Sequence, residues 1–209
     1  MTAVTNLLIG LGPHMLKKWA ESRRLTRAQR ERGAVLVETA ILIPVIVLIT
    51  FGLIEFSAAY QSSSVTAGAA RAAARTASAE ALLSTYAVDA ATAASTALRT
   101  VSPDEPVEMW IYKANTNGYP GTLSDFSSCS TNCIKYNWIK AQKKFDTANP
   151  LGGGWPATQQ HACDASNWDS VGVFVKLNHK YITKLFGASI NLTDHAVFRL
   201  EPAPTQLCG

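Results

Sequence analysis

The sequence has almost no charge between Ala34 and Ile54, a run of 21 residues whose one ionisable side chain is Glu38. A helix of this length spans roughly 30 Å, the thickness of the hydrocarbon core of a bilayer. Core helices of soluble proteins rarely remain apolar on all sides over such a length. The absence of charge therefore disfavours a soluble core helix and predicts a membrane-spanning helix.

Residues 34–209 have no excess of basic side chains, because they carry 12 basic and 13 acidic ones. Residues 1–33 carry 7 basic and 2 acidic side chains, a net charge of +5. Phosphate binding needs clustered Lys and Arg on the folded part, so a nucleic-acid partner is disfavoured. The positive-inside rule places residues 1–33 in the cytoplasm and the chain beyond about residue 57 outside it.

Sequence signatures of common enzyme classes are also missing, because the chain has no G-x-S-x-G, H-E-x-x-H, P-loop or G-x-G-x-x-G motif. The glycines at 152–154 lie between two prolines, which predicts a flexible loop rather than a phosphate-binding loop. His161, His179 and His195 are scattered, which predicts surface or packed side chains. We therefore expect no catalytic residue and no cofactor.

Proline is absent between Pro44 and Pro103, and alanine is abundant in the same stretch. Because alanine is the best helix former, we predict that the helix continues beyond the span to about residue 100 and stops before Pro103. Unbroken, residues 34–100 would form a rod of about 100 Å. The small side chains of residues 57–102 suit close packing against another helix or a small sheet.

Residues 103–209 contain most of the aromatic residues and all four cysteines. Alternating apolar residues and strand-forming composition predict strands at 107–112, 171–177 and 195–201. We expect loops at 113–132 and 146–170, and a short helix around residues 134–145. The predicted fold class is α+β, in which a long N-terminal transmembrane helix continues into an extracytoplasmic stalk and packs on a small antiparallel β-sheet domain with disulfides.

The predicted organisation has four segments and a single pass through the cell (inner or plasma) membrane. They are a basic cytoplasmic leader (1–33), a transmembrane helix (34–56), an Ala-rich helical stalk (57–102) and a small extracytoplasmic α+β domain (103–209).

The cysteines Cys129, Cys133, Cys163 and Cys208 are even in number and all lie outside the cytoplasm in this topology. Disulfides are expected there, and of the three possible pairings we favour Cys129–Cys133 with Cys163–Cys208. Zinc binding with His161, or free thiols, are the alternatives. The spacing contains no compact Cys-x2-Cys pair, so we expect no metal.

The start of the span reads RGAVLVETA (32–40), a glycine followed by four residues and a glutamate. This resembles the type IV prepilin pattern, in which a membrane peptidase cuts after the glycine and the glutamate becomes the fifth residue of the mature chain. The resemblance implies a processing site at Gly33, Ala34 and Glu38. It also implies that Glu38 pairs with an N-terminal amine, usually that of a neighbouring subunit.

A longer stretch, about residues 31–78, resembles the TadE-like family of the Tad (Flp) type IV pilus assembly system. The pieces that carry the resemblance are RGAVLVETAILIP (32–44), FGLIEF (51–56), AARAAAR (69–75) and AVFRLE (196–201). The resemblance implies a pilin-like fold and a non-enzymatic pseudopilin or assembly component. Its implied partners are membrane lipid, other pilin-like subunits, pilus assembly proteins and a prepilin peptidase.

Two other functions remain open from the sequence. A signal-anchored protein could bind a surface or cell-wall ligand through exposed Trp110, Trp138, Trp155 and Trp168. A secreted enzyme would need a cluster of titratable groups, which the sequence does not show.

Overall fold

The computed structural model describes residues 13–101, 104–164, 166–184 and 186–208, with side chains from residue 32 onward. The chain divides into a first unit that ends at Leu53 and a second that begins at Ile54. The elements, in chain order, are helices α1 (Pro13–Ala79) and α2 (Tyr86–Leu98) and strands β1 (Glu105–Ala114), β2 (Cys133–Ile139), β3 (Lys144–Phe145), β4 (Leu151–Gly154), β5 (Ser170–Lys180) and β6 (Ser189–Arg199).

The first unit contains the apolar part of α1, with Pro44 inside the helix. Between Arg32 and Ala79 this helix is long and apolar enough to cross a membrane, with a mean hydropathy of 2.6 over its most apolar 18 residues, none of them buried. Leu36 and Ile41, for example, are 70% and 66% exposed. So much exposed apolar surface is unfavourable in water and fits a lipid environment. The helix is a candidate single-pass anchor.

The Ala-rich segment forms two helices rather than one rod, which corrects the prediction of a continuous helix to about residue 100. α1 ends at Ala79, the chain turns with Leu82 at a φ of 66°, and α2 begins at Tyr86. Val101, just after α2, lines a pocket together with Ser62 of α1. α2 therefore runs back along α1 as the second arm of a helical hairpin.

Burial of alanine explains why the chain folds back. Both helices carry alanines that are at most 5% exposed, which are Ala69, Ala70, Ala73, Ala74 and Ala77 of α1 and Ala87, Ala90, Ala91 and Ala94 of α2. Most of them recur at spacings of three and four residues, so they form one face on each helix. A single straight rod would leave the α2 face in water.

The strands form one antiparallel sheet in the order β3-β2-β1-β5-β6, with β4 paired to β2. In the centre of the sheet, Ile111 of β1 lies opposite Ile134 of β2 on one side and Val173 of β5 on the other. β5 and β6 pair along eleven residues, from Ser170 opposite Arg199 to Lys180 opposite Ser189. The long β5–β6 hairpin therefore forms one end of the sheet.

Alternation of side chains gives the sheet two buried faces. Met109 and Ile111 of β1 join the valines of β5 in the cluster that contains the helix alanines. Tyr112 and Phe174 belong to a second cluster on the opposite face, covered by Phe126 from the loop after β1. The predicted packing of a small antiparallel sheet on the upper part of the long helix, and the α+β class, are confirmed.

The short helix expected around residues 134–145 is wrong, because this segment begins with strand β2 and contains strand β3. The larger apolar residues Ile134, Tyr136 and Trp138 alternate with polar residues, which is the period of a strand. The strand expected at 195–201 begins earlier, at Ser189. The predicted strands at 107–112 and 171–177 lie within β1 and β5.

Candidate functional site

The predicted processing residues lie on the exposed part of α1 that belongs to the first unit. A Cβ added at Gly33 would meet no atom within 4 Å apart from its chain neighbours and the backbone of its own helix. Ala34 and Glu38 are both exposed and one turn apart, so they share a face of the helix. Within the part of the chain that the structure describes, no side chain pairs with Glu38.

A second carboxylate on the same helix, Glu55, has the opposite environment, because it is 1% exposed. Its Oε2 accepts a hydrogen bond from the backbone N–H of Ile182 at 3.0 Å. Its Oε1 accepts two from Thr183, one from the hydroxyl at 2.6 Å and one from the backbone N–H. We call this set the Glu55 latch. It joins the part of α1 that begins the second unit to the loop between β5 and β6.

Next to the latch lies a buried polar cluster around Asp104, in the connection between α2 and β1. Asp104 Oδ2 accepts a hydrogen bond from the Ser62 hydroxyl of α1 and lies 2.8 Å from Nδ1 of His179. Asp104 Oδ1 accepts the N–H of Lys180 at 2.9 Å. His179 is 2% exposed, as a packed histidine should be. The cluster ties α1, the α2–β1 connection and the end of β5 together.

The cysteines form the pairing that the sequence analysis favours. Cys129 is bonded to Cys133 with an S–S distance of 1.95 Å, and Cys163 to Cys208 at 2.06 Å. All four sulfurs are thus used, which leaves none for the zinc alternative. Across residues 13–101, 104–164, 166–184 and 186–208, no group of three His, Cys, Asp or Glu side chains is arranged to hold a metal ion.

Comparison with protein families identifies the segment that carries Glu38 and Glu55. The family model described as TadE-like protein matches residues 33–75. The chain carries a TadE-like segment. No curated protein and no solved structure matches the chain.

The TadE-like segment begins at Gly33 and contains both Glu38 and Glu55. It therefore contains the predicted processing site, the apolar span and Glu55, which anchors the start of the second unit. The chain is thus similar to TadE-like proteins over residues 33–75. Sequence reasoning placed Glu55 in the FGLIEF motif but missed its contact with Thr183, because the two residues are 128 positions apart in the chain.

The four tryptophans do not form the exposed ligand surface that the alternative function requires. Trp110 is 5% exposed and Trp155 is 1% exposed, so both belong to the interior. Trp138 packs edge-on against Phe145, with ring centroids 5.0 Å apart. Trp168 lies under the guanidinium of Arg199 at 4.8 Å. These rings stabilise the sheet domain.

Proposed function

We propose that the protein is a non-enzymatic, membrane-anchored pseudopilin or pilus-assembly component of a Tad-type pilus. The observation that carries the proposal is the TadE-like match, which starts at the predicted scissile glycine and runs through the apolar helix to Arg75. The protein works through helix packing and subunit contacts. Its partners are membrane lipid, other pilin-like subunits, pilus assembly proteins and a prepilin peptidase.

The proposed topology has residues 1–33 in the cytoplasm, residues 34–56 in the inner or plasma membrane and the rest outside the cytoplasm. The charge distribution supports it, because the leader carries +5 and no Lys or Arg occurs between Arg32 and Arg71. Two disulfides in the outer unit fit an oxidising compartment.

In the proposed processing step, a peptidase hydrolyses the bond between Gly33 and Ala34. Gly33 lies within a helix, where glycine is about 1 kcal/mol less favourable than alanine, so the helix is locally easy to open. Hydrolysis leaves a carboxylate on Gly33 and a cationic amine on Ala34. A carboxylate in a low-dielectric environment needs a partner, and Glu38 would find it in the amine of a neighbouring subunit.

The test of processing is the intact mass, under non-reducing conditions, of the protein extracted from membranes that contain a prepilin peptidase. We expect a chain that begins at Ala34 and lacks two hydrogens for each disulfide. A Gly33→Leu variant should keep the leader upstream of residue 33, because a bulky side chain at this position prevents cleavage. Gly68→Leu is the matched control, since Gly68 is a helix glycine with equally open surroundings. A wild-type mass that begins at Met1 would contradict processing.

The test of assembly is Glu38→Leu. We expect the variant to insert in the membrane, because the change removes a charge from the span, and to fail to support pilus assembly in cells lacking the wild-type protein. A signal-anchored binding protein has no use for this carboxylate, so unimpaired pili would favour that alternative. Membrane fractionation and electron microscopy of the pili give the two readouts.

A further inference from the structure

The loop between β5 and β6 carries two unusually exposed apolar side chains. We call its described residues, 181–184 and 186–188, the β5–β6 tip. Ile182 and Phe186 are each 61% exposed, more than any other large apolar side chain outside α1 in the described part of the chain. Leu48 in the apolar span is 60% exposed. The tip thus presents apolar surface to its surroundings as fully as the lipid-facing helix does, and such surface marks an interaction site.

The Glu55 latch sets the position of this tip. Glu55 lies in the last turn of the predicted transmembrane segment 34–56, and its carboxylate binds the backbone of Ile182 and Thr183 directly. The tip is therefore held within about one helical turn, roughly 5 Å, of the level at which the chain leaves the bilayer.

The composition of the tip suits a membrane interface. Tyr181 and Phe186 are aromatic, and their rings lie 6.4 Å apart. Lys184 is exposed, whereas the ammonium group of Lys180 lies 3.4 Å from the Glu105 carboxylate. Aromatic side chains concentrate at the headgroup level of bilayers, and lysines extend their ammonium groups to lipid phosphates. The first basic residue of α1 after the span, Arg71, lies roughly 24 Å beyond Glu55 along the helix, at about 1.5 Å per residue. Unlike the lysine of the tip, it is therefore far from the level of Glu55.

Part of the tip's backbone is hydrogen-bonded within the protein, which lowers the cost of a water-poor environment, where unpaired N–H groups are unfavourable. Glu55 accepts the N–H groups of residues 182 and 183. The N–H of Tyr181 donates to the Ala188 carbonyl at 3.2 Å, and that of Gly187 to the Lys184 carbonyl at 3.3 Å. Four N–H groups of the loop are thus satisfied within the protein.

We propose that the β5–β6 tip inserts Ile182 and Phe186 into the interfacial layer of the bilayer, as a second membrane contact beside the span. The proposal rests on the proposed anchoring of α1 in the membrane. A single helix leaves the attached domain free to rotate and tilt about it. A second contact, held by the Glu55 latch, fixes which side of the sheet domain faces the membrane and which sides face neighbouring subunits.

The experiment places a nitroxide spin label at Phe186→Cys in the full-length protein, reconstituted in vesicles of phosphatidylcholine and phosphatidylglycerol. The native cysteines are all in disulfides, so the introduced thiol is labelled selectively. Collision with oxygen, which concentrates in lipid, is compared with collision with a water-soluble nickel complex. Leu48→Cys gives the reference for the span. Leu151→Cys on β4, at 48% exposure, gives the reference for the outer domain in water.

We expect the oxygen-to-nickel ratio at residue 186 to lie close to that at 48 and several-fold above that at 151. Ile182→Cys is a second label that guards against misfolding at one site, and it should agree. If 182 and 186 behave like 151 while 48 stays protected from nickel, the tip proposal is overturned and the anchor stands. If 48 is also accessible to nickel, the anchoring itself fails, and the tip proposal with it.

Discussion

The two disulfides close loops of very different length, and this predicts very different contributions to stability. Cys163 and Cys208 are separated by 45 residues, whereas Cys129 and Cys133 are separated by 4. A cross-link stabilises mainly by restricting the unfolded chain, and the restriction grows with the logarithm of loop length. The loop-entropy relation gives about 4 kcal/mol for the long loop and about 2 kcal/mol for the short one at 25 °C.

The perturbation is a pair of double variants, Cys163→Ser with Cys208→Ser and Cys129→Ser with Cys133→Ser. For a unit of this size 1 kcal/mol shifts the melting temperature by about 2–4 °C, so we expect losses on the order of 10 °C and 5 °C respectively. The assay is thermal unfolding of the purified full-length protein in detergent, without reductant, followed by tryptophan fluorescence. Each variant is the control for the other, because each removes one bridge of the same chemistry.

A loss of melting temperature on removal of the short bridge that equals or exceeds the loss on removal of the long one would refute the loop-entropy explanation. The structure shows what else the long bridge holds. The C-terminal segment before Cys208 adds its own bonds, from Glu201 N to the Ser78 carbonyl at 3.0 Å and from Ala203 N to the Ala162 carbonyl at 3.1 Å. These bonds keep the segment in place once the bridge is gone, so the variant should still fold below its lowered melting temperature.

Three further predictions concern single residues. Glu55→Ala should abolish hydrogen-exchange protection at residues 182 and 183, while the exposed-carboxylate control Glu201→Ala should not; equal protection in both would exclude the latch. Gly172→Ala should lower the free energy of unfolding, measured in urea, by about 1–3 kcal/mol, because the new Cβ would lie 2.2 Å from the buried Tyr112 ring. Gly68→Ala, at a helix glycine with open space around it, should not lower it. Burial and the charge of Asp89 raise the pKa of Glu80. The folded state therefore favours the protonated Glu80 carboxyl, and this stabilisation is lost as pH rises through the folded-state pKa. The gain in unfolding free energy from Glu80→Gln should accordingly grow between pH 4 and pH 7. A gain independent of pH would contradict this.

Sequence patterns alone determined the elements that depend on neighbouring residues. The apolar span follows from 21 consecutive residues with one ionisable group. Strands β1 and β5 follow from period-two alternation, and the disulfide framework from four cysteines and the topology. The TadE-like segment was recognisable because its motif residues lie close together in the chain. For the span, the strands and the TadE-like segment the information is local, so no knowledge of distant contacts was needed.

Tertiary structure decided what depends on partners far apart in the chain. Nothing in residues 80–85 marks a turn by proline or glycine, yet the chain folds back there because α2 buries its alanine face. The Glu55 latch joins groups 127 and 128 residues apart, and the bond between Asp104 and His179 joins groups 75 residues apart. A sequence pattern shows which residues are polar or apolar, but only the packed chain shows which of them meet, because burial and hydrogen bonding are properties of the whole fold.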